Sequence, residues 1–186
     1  APPTHPATSW GKQPREGTRM HPAPRHELTA SADPLDALEA VAVALDIDAE
    51  RIDDAELHIA IPGVWRDAGV WFTWRPELST LQMGAPLELK VPQGRMLEAS
   101  RLVAMINERL WIGHFDLWSE DHAIVFRNAV VLPDSGALEG GQAQRLIKGV
   151  SEAIDRFFPA FNYFIWGGKS PDEALQASLF ETVGNA

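Results

Sequence analysis

The sequence predicts an α+β domain: a five-stranded antiparallel sheet with helices packed largely on one of its faces, in the order α-β-β-β-α-β-β-α-α. Three observations carry this prediction. Three strand-like segments follow one another between Glu56 and Val91 with no helix among them, which a doubly wound parallel sheet does not allow. The third of these alternates apolar and polar residues along its whole length. Two later strands are separated only by Glu120-Asp121, a connection short enough for a hairpin and too short for a parallel crossover.

Taken in order, residues 1–32 read as an arm and residues 33–186 as the folded domain. The arm holds Pro2, Pro3, Pro6, Pro14, Pro22 and Pro24, and its apolar residues are few, chiefly Trp10, Met20 and Leu28. Such a segment buries too little area to offset the entropy of ordering it, so disorder is expected. His5, His21 and His26 are spaced too irregularly for a metal tract and read as solvated residues. Order begins at Asp33-Pro34, an N-cap followed by proline at the first helical position, with Asp36 in the first turn. Leu35, Leu38, Val41, Ala42 and Leu45 recur at helical spacing to about residue 46.

The first strand covers Glu56 to Ile61, with Leu57, Ile59 and Ile61 on one face. In the second, Val70, Phe72 and Trp74 alternate with Trp71, Thr73 and Arg75. In the third, Leu81, Met83, Ala85, Leu87, Leu89 and Val91 take every second position. Pro86 lacks an N–H, so this strand should lie at an edge or carry a bulge. A helix over about 94–111 presents Ala99, Leu102, Val103, Ile106 and Leu110, and strands follow at 113–119 and 122–132. A long helix starting near Gly141 uses Leu146, Ile147, Val150, Ile154, Phe157 and Phe158, with Pro159 expected to kink or end it. The last helix opens with a capping box, Ser170-Pro171-Asp172-Glu173, turns Leu175, Leu179 and Val183 inward and stops at Gly184.

Composition bounds the function. The chain has no cysteine, which removes disulfides, thiolate metal sites and cysteine nucleophiles. It has no apolar run of about 18 residues and no apolar core of a secretory signal, so a soluble, cytoplasmic chain is expected. Net charge is −10, and residues 1–30 hold +2 of it (Lys12, Arg15, Arg19 and Arg25 against Glu16 and Glu27), which leaves −12 on the remainder. A domain so acidic repels phosphate backbones and anionic membranes.

Three constellations merit weighing. Gly167-Gly168-Lys169-Ser170 before a helix suggests a phosphate loop, but the position five residues before Gly168 is Tyr163 rather than glycine, so a tight inter-helix turn is expected. His114 and Asp116 share a strand face, with His122 at the start of the next strand; these suit a metal or a proton-transfer pair, or a hydrogen-bonded pair with Arg127. The tryptophans Trp71, Trp74, Trp111, Trp118 and Trp166 are many for one small domain; Trp71 falls on the face opposite Val70, and Trp118 shares a face with His114 and Asp116. Both sheet faces then carry bulky apolar groups, and the second is covered either by a dimer mate or client segment or by the chain's own helices. Arg75 shares the face of Trp71 and is placed to anchor a carboxylate.

The stretch Asn107-Glu108-Arg109-Leu110-Trp111-Ile112-Gly113-His114-Phe115-Asp116-Leu117-Trp118, together with Phe158-Pro159-Ala160-Phe161 and Ile165-Trp166-Gly167-Gly168-Lys169-Ser170-Pro171, resembles the YbjN-domain family of bacterial proteins over about residues 34–186. The family is described as sensory transduction regulators. The resemblance implies a fold similar to type III secretion chaperones, often paired as a homodimer, and supplies no catalytic residues. The combined expectation is a noncatalytic protein-interaction or regulatory module that binds a protein or peptide partner, without nucleic acid, membrane, metal or cofactor. The alternative is a small-molecule or metal-sensing domain. The candidate interaction residues are Trp71, Arg75, Trp111, His114, Asp116, Trp118, Arg127 and Trp166.

Overall fold

The computed structural model describes residues 32–184; the arm expected over residues 1–32 therefore lies outside the described residues except for Ala32. Helix α1 (Pro34–Ala44) is followed by strands β1 (Asp48–Arg51), β2 (Glu56–Ile61), β3 (Ala68–Arg75) and β4 (Thr80–Lys90). Helix α2 (Met96–Asn107), strands β5 (His114–Trp118) and β6 (Ala123–Val131), and helices α3 (Gly140–Ile165) and α4 (Pro171–Gly184) complete the order. All strands form one sheet, β1-β2-β3-β4-β6-β5, with every neighbouring pair antiparallel.

The predicted class holds, with one strand more than expected: the sheet has six strands, and β1 is the addition. Its sequence, Asp48-Ala49-Glu50-Arg51, has no apolar alternation to mark it. Pairing with β2 and anchorage to α1 define it instead. The Arg51 guanidinium bonds Asp33 and reaches Asp36 and Glu39 at 3.3 Å each. Partial burial opposes its charge, but the Asp33 hydrogen bond and the charges of Asp33 and Glu39 outweigh that and raise its pKa above the ordinary value.

Asp33 caps α1 as expected, accepting the Leu35 N–H at 2.9 Å. Of the two outcomes foreseen for Pro86, the structure takes the bulge: β4 is an interior strand whose register against β6 shifts between Pro86 and Lys90, with Glu88 at φ 54°. Helix α3 does not end at Pro159 and runs on to Ile165. Proline there removes the donor that the Asp155 carbonyl would have received. The indole N–H of Trp65, on the β2–β3 loop, donates to that carbonyl at 2.9 Å, and the Val64 N–H donates to the Asp155 carboxylate at 2.8 Å.

One core joins the helices to one face of the sheet. Leu35, Leu38 and Ala42 of α1 share this core with Leu57, Ile59, Val70, Phe72, Leu81 and Met83 of the sheet. Farther along, Phe115 packs edge-on against Phe126 and Phe161 at ring separations of 5.3 and 5.1 Å. All four helices contribute to this cluster, including Ala174 and Leu175 of α4. The opposite face receives no helix among the described residues.

Candidate functional site

That uncovered face is built by strand alternation and register. One row across it reads Glu50, His58, Trp71, Gly84, Arg127 and His114. The row beside it sets Asp48, Ala60 and Gly69 on β1–β3, and Pro86, Val125 and Asp116 on β4–β5. A third row, Arg75, Thr80 and Val131, lies toward the other end of the strands.

The structure thus brings Trp71, Arg75, His114, Asp116, Trp118 and Arg127 to one face. It separates the other two candidates. Trp111 stands fully exposed in the turn after α2, beside Gly149 to Arg156 of α3, and Trp166 is the exposed C-cap of α3. The face is also less apolar than expected. Trp71, Val125, Trp118 and Val131 stand among His58, Gln82, Arg127 and Asp116, and Trp74 belongs to the core.

Two depressions interrupt the face. The first is a groove of about 420 Å³ over β1–β4. Ala60 and Gly69 form its floor, Trp71 and Pro86 its flanks, and Asp48 and Glu50 an acidic rim. The shape follows from glycine at two positions. At Gly84 a Cβ would stand 2.1 Å from the Trp71 ring, so the bare backbone lets the indole lie flat across β4. At Gly69 a Cβ would meet nothing within 4 Å, so the space above it is open. His58, on the same face, shares its Nε2 with the Glu56 carboxylate at 2.6 Å.

The second depression, about 550 Å³, lies against β5, the β5–β6 turn and Arg127. Arg127 donates to Asp116 at 2.9 Å, and His114 stands 3.8 Å from the same carboxylate oxygen. Of the readings weighed for His114 and Asp116, the pair with Arg127 is the one formed. Among the described residues no group of three or more histidine or acidic side chains is placed to hold a metal ion.

The Gly167–Ser170 stretch forms the inter-helix turn, with Gly168 at φ 63° and the Lys169 N–H bonded to the Tyr163 carbonyl at 3.3 Å. The start of α4 holds its own anion. The Glu173 carboxylate accepts the Ser170 N–H at 2.9 Å and its hydroxyl at 2.7 Å, and these bonds, the backbone one foremost, lower the Glu173 pKa below the ordinary carboxylate range.

Sequence reasoning missed the groove residues Asp48, Glu50, His58, Ala60, Gly69 and Pro86. Glycine inside a strand pattern signals a close approach or a binding position, and Gly69 carried that signal. Nothing in Asp48-Ala49-Glu50-Arg51 marked a strand, so its acidic rim was out of reach.

A family model described as "Putative bacterial sensory transduction regulator" matches residues 34–162. No curated protein matches the sequence. Among solved structures, the chain is similar to the crystal structure of YbjN, a putative transcription regulator from E. coli, at 16% identity and a TM-score of 0.45, over 65% of this chain and 88% of that one. No helix among the described residues is long and apolar enough to cross a membrane.

Proposed function

This chain belongs to the YbjN family, and from that premise we propose that it is a noncatalytic regulatory module, acting in the bacterial cytoplasm, whose uncovered sheet face docks an extended, basic peptide segment of a partner protein. The groove beside Trp71 is the observation that carries this reading. Its floor is bare and apolar, its rim is acidic, and the chain around it is strongly negative. An extended segment with an aromatic or aliphatic residue above Gly69 and lysine or arginine beside Asp48 and Glu50 satisfies both features. Trp71 supplies the rigid amphipathic surface on which such anchors gain most. Trp118, Arg75 and the Asp116–Arg127 pair extend the same face beyond the groove.

Random peptides displayed on phage and selected on the full chain test this. The expected outcome is enrichment of lysine or arginine flanking an aromatic or aliphatic residue, with binding lost to a Gly69→Leu chain. Leucine there fills open space at an exposed strand position, so the fold is expected to survive. Selection of no peptides, or of peptides that bind Gly69→Leu equally well, overturns the reading.

A further inference from the structure

We propose that the chain carries its own occupant for the groove: the segment Ser9–Arg15, with Trp10 above Gly69 and Lys12 and Arg15 at the acidic rim, docks there in cis and competes with the partner. This rests on reading the face as a docking site for basic peptides.

Three observations support the assignment. The first is chemical. Ser9-Trp10-Gly11-Lys12-Gln13-Pro14-Arg15 places a large apolar ring beside two cations, and its only proline leaves the donors near Trp10 intact. The groove offers open space over Gly69 next to an indole, with Asp48 and Glu50 alongside. The second is charge. Residues 1–30 hold +2 where the rest of the chain holds −12, so attraction runs from this segment to the domain. The third is placement. The described chain begins at Ala32, whose N–H bonds the Ser135 carbonyl at 2.7 Å, and continues to Asp33, which pairs with Arg51 at the end of β1. From Arg51 the rim at Asp48 is about 10 Å along the strand. The residues between Arg15 and Ala32 span up to roughly 55 Å when extended, ample to round the β1 margin and reach the other face. A tether of this length holds the segment at an effective concentration near the millimolar range, so even a weak complement stays docked.

Docking in cis has a regulatory consequence. A partner finds the groove free only in the undocked fraction, and its apparent affinity falls by that fraction. Anything that draws the segment away then raises partner affinity without touching the domain.

Limited trypsin cleavage of the full chain after Lys12 and Arg15 reads the docked state directly. We expect Gly69→Leu and Trp10→Ala each to speed cleavage at these two sites about tenfold, the change produced when a segment docked about nine-tenths of the time is released. Cleavage after Arg25, between the docked segment and Ala32, is expected to change little. Trp10→Ala changes none of the residues that line the groove. Equal rates in all three chains overturn the proposal. So does protection that disappears on dilution, which would place the segment of a second copy in the groove. Peptide selection repeated on Trp10→Ala separates the two readings: peptides that bind it and not Gly69→Leu sustain the docking face even if the segment is never protected, whereas a protected segment on a face that selects no peptides leaves only the cis contact standing.

Discussion

Single residues settle how the loops are fixed to the core. Trp65 illustrates this. Its ring is half out in solvent, yet its N–H serves the one carbonyl of α3 that Pro159 leaves without a helical donor. Trp65→Phe keeps most of the apolar surface and deletes that donor. Since the site is only partly buried, the expected loss is about 1 kcal/mol, at the low end for an unsatisfied polar group, read as a shift in the urea midpoint with an unchanged slope. Trp71 is held on a different principle. Its place depends on the missing side chain of Gly84, so one bare position of β4 sets how the indole lies on the outer face.

Elements differ in how far local chemistry defines them. The start of α4 is written in four consecutive residues: Ser170 and Glu173 bond each other reciprocally around Pro171. Ser170→Ala is expected to cost about 1 kcal/mol, the usual price of an N-cap, measurable by thermal or chemical unfolding. The pH dependence follows from the lowered Glu173 pKa. A carboxylate with a depressed folded-state pKa contributes its stability above the ordinary carboxylate range and loses it as pH falls through the lowered value. Acid titration of helicity should therefore show a loss below the ordinary range that Glu173→Gln abolishes; an identical curve for the variant would dissociate the cap from that loss. Elements with strong periodicity, β2, β3, β4 and the two long helices, were legible in the sequence because burial on one side imposes the period. Strand β1 was not, because its pairing partner and Arg51's three acidic contacts come from elsewhere in the chain. The continuity of α3 was illegible for the same reason: its rescuer sits 90 residues away.

At the scale of the whole molecule, one sheet divides the described residues into a helical side and an open side. The alternation of Trp71 with Phe72 and of Asp116 with Phe115 made that division readable, and so six of the eight candidate residues meet on one face. Trp111 and Trp166 do not, because residues in turns have no periodicity to assign them a side. The groove needed the third dimension, since its floor and rim come from separate strands. The two margins of the sheet are also unequal. Helix α2 packs against β5, and the Asn107 amide takes both outward backbone groups of Phe115, at 2.8 and 3.0 Å. Asn107→Ala should expose those groups and promote association, visible as rising light scattering with concentration; scattering equal to that of the parent chain would show the amide dispensable for this purpose.

The blocked margin limits what copies of this protein can build together. A sheet able to accept neighbours left and right is a monomer for fibres, but one whose β5 margin is engaged by Asn107 and α2 offers its freer edge beside β1. Two such molecules meeting there close each other off, and growth halts at the pair.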